Sequence, residues 1–181
     1  MNFNDEELGV IKSLYVSSVL DVKLDIQYSA SPSVIIKCKD NISEYLNFYI
    51  KNNELHLETI GIFKFPPNLQ IEVNLNTLEY LNTNKNCSIL GTVKTPNFNI
   101  EAYDHSYINL KGYVINLNVN TYKYSNVNLA RLHAENVKTQ SVESSTLEVY
   151  AKSSIQGSIT SIGQLSILGS AKEIKILKPQ A

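Results

Sequence analysis

The 181-residue sequence predicts an all-β chain: a parallel β-helix with an N-terminal set of strands packed on it. Three observations lead there. Apolar and polar residues alternate with period 2 along most of the chain, the periodicity of a half-buried strand. The second half repeats every 18 to 20 residues, the length of one coil in a solenoid. Asn, Ser, Asp and Pro punctuate the alternating runs where turns are required.

Near the N-terminus, Leu20, Val22, Leu24 and Ile26 alternate with Asp21, Lys23 and Asp25, which gives a strand one dry and one wet face. Ser31-Pro32-Ser33 breaks it, and Val34-Ile35-Ile36-Lys37-Cys38 resumes. Leu46, Phe48 and Ile50 form the next alternating run. Asn52-Asn53 then supplies residues that tolerate positive φ, and Leu55-His56-Leu57 returns, which predicts a hairpin with His56 on its wet side. Phe65-Pro66-Pro67-Asn68 is a rigid break before Leu69-Gln70-Ile71-Glu72-Val73. It divides an N-terminal strand region, residues 1–68, from a β-helical repeat region, residues 69–181, the two together forming one globular domain.

The repeat consists of two interleaved series of inward pairs. One runs Leu78/Tyr80, Phe98/Ile100, Leu117/Val119, Val137/Thr139, Ile155/Gly157 and Ile174/Ile176. The other runs Ile89/Gly91, Ile108/Leu110, Val127/Leu129, Leu147/Val149 and Leu165/Ile167. One coil of short strands cannot bury its apolar face, whereas a stack closes a continuous core and lets neighbours supply the hydrogen bonds. Insertions or deletions of one or two residues fall between the paired positions, where turns absorb them. An antiparallel sandwich also has many short strands, but nothing in it would keep two interleaved series in register over five coils.

This cadence of a turn followed by apolar-x-apolar about every ten residues, from Val16 to the C-terminus, resembles the auto-transporter adhesin head domain, or GIN domain, of bacterial surface proteins. The resemblance implies a right-handed β-helix in two packed parts, which agrees with the general preference for right-handed crossovers. It also implies export to the cell surface or periplasm, and no established enzymatic activity. The sequence departs from the family in its turns. Where the family carries glycine-rich stretches, this chain has Asp104-His105-Ser106-Tyr107, Lys123-Tyr124-Ser125-Asn126 and Glu143-Ser144-Ser145-Thr146. Only Ser161-Ile162-Gly163-Gln164 keeps a glycine. Asn, Asp and Ser also serve in turns, so the fold is expected to survive the change.

Composition narrows the partners. The formal charge is −1 and Arg131 is the single arginine, so the dense basic footprint of a nucleic-acid binder is missing. No apolar run reaches the roughly 18 residues of a membrane span. The acidic, polar start, Met1 to Glu7, is unlike a secretory leader, which leaves open a cytoplasmic chain and one whose leader has been removed. Cys38 and Cys87 lack close His or Cys partners, so free thiols are expected, with a disulfide as the alternative in an exported protein. No metal site or cofactor is expected.

Candidate chemistry is sparse. Asp104-His105 beside Glu101 invites a general acid–base reading, yet adjacent residues on a strand or turn point apart, so a solvated turn is expected. Arg131, His133 and Glu135 alternate into a small charged strip. Glu101, Asn120 and Gln140 stack as one carboxylate and two amides, a poor cation cage. The enzyme alternative is a carbohydrate-active β-helix using Asp104, His105 or Arg131. Purely structural self-association is another alternative, and the oligomeric state is left open. The more suggestive residues are tyrosines. Tyr103 and Tyr122 occupy equivalent positions one coil apart, with Tyr107, Tyr113 and Tyr124 nearby. Stacked at about 4.8 Å per coil, Tyr103, Tyr107, Tyr122 and Tyr124 would present an aromatic strip for a carbohydrate or a surface protein. Outward Asn99, Asn109, Asn118 and Asn128 are expected to form ladders. The expected function is therefore a non-catalytic binding or adhesion module.

Overall fold

The computed structural model describes residues 5–17, 21–26, 32–37, 43–60, 69–141, 144–160 and 162–178. Leu20, Ser31, Cys38, the Phe65-Pro66-Pro67-Asn68 break, Glu143, Ser161 and the first four residues lie outside them. A short helix, α1 (Asp5–Gly9), leads into β1 (Ser13–Ser17), β2 (Asp21–Ile26) and β3 (Ser33–Lys37). The hairpin β4 (Leu46–Lys51) and β5 (Glu54–Thr59) follows, then β6 (Gln70–Leu75) and β7 (Tyr80–Asn84). Four long bent strands make the body of the repeat: β8 (Ser88–Ala102), β9 (Tyr107–Thr121), β10 (Asn126–Ser141) and β11 (Thr146–Ile159). The chain ends with β12 (Gln164–Gly169) and β13 (Glu173–Leu177).

The strands form a β-solenoid of about five turns. Each coil crosses two faces. On the first face lie β4, β5, β1, β7, the second halves of β8 to β11, and β13. On the second lie β3, β6, β2, the first halves of β8 to β11, and β12. Pairing between coils is parallel throughout, and only the edge strands β3 and β4 pair antiparallel, with β6 and β5 respectively. Order in the stack differs from order in the chain. β1 sits between β5 and β7, and β2 between β6 and β8, so later residues enclose the first coil from both sides.

The inward series of the interior coils fall where the spacing predicts, whereas in the last coil Leu165, Ile167 and Ile176 are only partly buried and Ile174, expected inward, is 57% exposed. Ile89, Ile108, Val127 and Leu147 are buried and stack in register, as do Phe98, Leu117, Val137 and Ile155. Burying each such side chain contributes about 1.5–3 kcal/mol. The Leu78/Tyr80 pair needs correction. Leu78 is buried, but Tyr80 stands opposite Asn99 and points outward, while Leu81 stands opposite Ile100. The coil spacing here is 19 residues, and Leu78 enters the core from the connection before the strand. Register shifts occur between Asn128 and Arg131 against β9, and between Leu129 and His133 and between Ala134 and Asn136 against β11. They lie at the bend between the two inward pairs, and the second of them removes three residues, more than the one or two expected.

The Asn52-Asn53 hairpin forms as predicted, with φ of 52° and 61°. The inter-coil turns use the same left-handed conformation twice in succession: Lys85 and Asn86, Asp104 and His105, Lys123 and Tyr124 all have positive φ, and Ser144 does so at the next turn. A buried small residue follows each of these four turns, namely Cys87, Ser106, Ser125 and Ser145. These form a polar stripe inside the corner. The Cys87 thiol lies 3.6 Å from Ser106 Oγ, Ser106 Oγ donates to the Tyr103 carbonyl, and Ser145 Oγ donates to Thr121 O at 3.2 Å. Burial pushes the free Cys87 thiol up from its ordinary pKa.

Two stability outcomes follow. Gly112 has φ of 125°, and a Cβ there would lie 2.0 Å from the Val93 carbonyl oxygen. Gly112→Ala is expected to cost about 3 kcal/mol through backbone strain and strand separation, read as a lowered urea midpoint. Lys85, exposed at φ 58°, carries a left-handed penalty that glycine avoids. Lys85→Gly is expected to raise the same midpoint, by about 0.5 kcal/mol after glycine's entropy cost.

Candidate functional site

The outward side of the first face gathers tyrosines and carboxylates. Tyr103 and Tyr122 follow equivalent strand ends on β8 and β9. Tyr122 N donates to Ala102 O at 2.8 Å and Tyr103 N to Thr83 O at 2.9 Å, which fixes the two backbones one coil apart. Their rings stack with centroids 4.6 Å apart and planes 9° from parallel. The Tyr103 hydroxyl donates to Glu101 Oε2 at 3.1 Å. Glu101 also takes a hydrogen bond from Tyr80, whose hydroxyl accepts one from Asn82 Nδ2 at 3.5 Å. One carboxylate thus holds two phenols, and no lysine or arginine among the described residues pairs with it.

Both phenols keep their protons to unusually high pH. Burial is the main cause, and the Glu101 charge and hydrogen bond add to it; Tyr103 is pushed up to about 12 and Tyr80 further. Tyr122 moves the same way, by burial and then by Glu101.

The row continues down the stack. Asn82 and Glu101 are neighbours, as are Tyr15 and Asn82, and Tyr15 and His56. His56 was expected on the wet side of its hairpin and does point outward, yet its side chain is only 15% exposed. Tyr49 stacks on it at 4.5 Å, Tyr15 leans on it at 5.3 Å, and Glu54 Oε1 lies 2.8 Å from Nε2. Sequence reading missed this enclosure because Tyr15 is distant in the chain and reaches His56 only through the β1–β5 pairing.

The other candidates are placed apart. His105 and Tyr124, equivalent turn residues, stack at 5.3 Å on the corner beside the Tyr103–Tyr122 column. Asp104 meets Lys123 Nζ at 3.5 Å, so the Asp104-His105 pair forms an exposed turn and the two side chains take different partners. Tyr107 begins the second face, 38% exposed, its hydroxyl accepting from Asn109. The four tyrosines therefore do not form one strip: Tyr103 and Tyr122 stack on each other, Tyr124 stacks on His105, and Tyr107 begins the second face. In the Arg131–His133–Glu135 strip, His133 stacks on Tyr150 at 4.3 Å. Glu135 accepts from Lys152 at 2.7 Å and from Ser153 at 3.1 Å, contacts that hold its carboxyl below the usual range.

An asparagine ladder forms, partly elsewhere than expected. Asn118 donates to Asn99 at 3.4 Å, but Asn109 and Asn128 turn to Tyr107 and Glu148. A more regular ladder runs along the bend, where Asn116 donates to Asn97 at 2.9 Å, Asn136 to Asn116 at 3.2 Å and Ser154 to Asn136 at 2.9 Å. Among the described residues, no group of three or more His, Cys, Asp or Glu converges as a metal cage, and no helix is long and apolar enough to cross a membrane.

The tyrosine chemistry gives a pH prediction. Between pH 10 and 12 the unfolded chain loses the Tyr103 proton and the native chain keeps it, so stability falls as pH rises through that window. An ultraviolet titration of tyrosinate should show a late fraction near pH 12 that disappears in Tyr103→Phe. In Glu101→Gln that fraction should titrate earlier.

Both the sequence and the fold have counterparts among known proteins. The sequence profile of the family described as "Putative auto-transporter adhesin, head GIN domain" matches residues 14–171. A crystal structure of a putative adhesin from Bacteroides fragilis superimposes with a TM-score of 0.67 at 19% identity, covering 92% of each chain. One from Parabacteroides merdae gives 0.55 at 12% identity, covering 99% of this chain and 94% of the other. No curated protein matches the chain.

Proposed function

The chain belongs to the auto-transporter adhesin head GIN domain family, and we propose that it is a non-catalytic adhesion module of the cell surface or periplasm whose ligand docks on the Tyr103–Tyr122 column. The observation that carries the site is the aligned ring pair, 4.6 Å apart, beside a carboxylate with no basic partner among the described residues. Stacked face to face and held by the backbone, the two rings present their edges as a rigid platform that loses little side-chain entropy on binding. Glu101, Asn82 and Asn120 beside the platform supply acceptors and donors for hydroxyl or amide groups. Such a surface suits a carbohydrate or a surface protein, and the corner pair His105–Tyr124 extends it. Tyr107, on the second face, does not belong to the platform.

The test is a glycan and surface-protein array probed with the parent chain, followed by titration of each ligand found. Tyr103→Ala/Tyr122→Ala should weaken binding by about 2 kcal/mol, as for an aromatic hot spot, while Tyr107→Ala leaves it unchanged. If the double variant binds every detected ligand as tightly as the parent, this site assignment is wrong.

A further inference from the structure

The second face carries a separate groove of about 970 Å³ that crosses β6, β2, β8, β9 and β10. Its charged end is made by Lys111 and Arg131, which stand opposite each other in consecutive coils. Neither makes an ion pair among the described residues, and the guanidinium is held only by Asn109 Oδ1 at 3.5 Å. Among the described residues that line the groove the one carboxylate, Glu72, lies at the other end, engaged by Lys37 at 2.8 Å and Lys23 at 3.6 Å. Between the ends, Leu90 is 47% exposed and Ser88, Thr92, Asn109 and Gln70 supply hydroxyls and amides.

We propose that this groove binds an acidic polysaccharide, with Lys111 and Arg131 receiving carboxylates of successive sugars and the amide and hydroxyl side chains meeting ring hydroxyls. Five strands span about 19 Å at the inter-strand spacing, enough for several sugars of an extended chain. Adjacent cations one coil apart suit a polymer that repeats its charge. Arginine's planar fork matches a carboxylate bidentately. An acidic peptide fits less well. The central strands β2, β8 and β9 already have paired neighbours on both sides, so no backbone groups of theirs are left to dock a peptide by strand addition. The platform of the first face plays no part, so the two sites fail independently.

Oligogalacturonate titrated calorimetrically into the intact chain at low salt is the direct test, with its methyl-esterified form as the neutral control. The acidic form should bind, weaken as salt rises, and bind roughly ten-fold more weakly to Lys111→Gln and to Arg131→Gln. The neutral form should not bind, and Tyr103→Ala/Tyr122→Ala should bind like the parent. Both basic positions are exposed, so matching circular dichroism spectra would establish that the variants fold. No binding of oligogalacturonate, binding by Lys111→Gln/Arg131→Gln as tight as the parent's, or equally tight binding of poly-glutamate would each overturn the proposal.

Discussion

The structure depends on parallel pairing between coils. A strand of one coil finds its hydrogen-bond partners in the coils above and below, so every interior coil must present its groups at one fixed spacing and in one register. That demand makes the inward positions stack, with Phe98, Leu117, Val137 and Ile155 as one column. It acts equally on the outside. Rings, amides and cations that would be unrelated on a flat surface become neighbours about 4.8 Å apart because the backbone puts them there. Tyr103 on Tyr122, the Asn97–Asn116–Asn136 ladder and the Lys111–Arg131 pair are three products of this one constraint.

Much of the repeat was legible because strand period and coil period act together. Alternation separates inside from outside, and recurrence at 18 to 20 residues separates a stack from a sandwich. The equivalence of Tyr103 and Tyr122 follows from counting alone. Counting fails where the spacing changes. A strict step of 19 from Lys111 reaches Ala130, and only the extra residue between Asn128 and Arg131 sets Arg131 opposite Lys111. Leu78 misled for a related reason, since its burial comes from the connection before β7 while the strand itself keeps Leu81 inside. The enclosure of His56 and the position of β6 beneath β2 depend on pairings between distant segments, to which local pattern is blind.

The turns show how the fold dispenses with glycine. Two successive left-handed residues are strained for most side chains. Here the strain is partly offset by what the side chains do once placed: His105 stacks on Tyr124, Asp104 meets Lys123, and a small thiol or hydroxyl behind each turn fits the corner. The departure from glycine-rich turns thus gives the corner side chains, and with them a surface that a glycine turn would lack.

The enclosure of the first coil sets an order of assembly. β1 and β2 leave the ribosome early, yet the strands that flank them come from residues 54–59, 70–75, 80–84 and 88–93. The pairings of β1 with β7 and of β2 with β8 bridge 67 residues, whereas later coils add at about 19. Long loops must close before the N-terminal coil gains partners, and short ones suffice thereafter. The slow step of folding therefore falls at the N-terminal end, and the remaining coils then build on it in the order of synthesis.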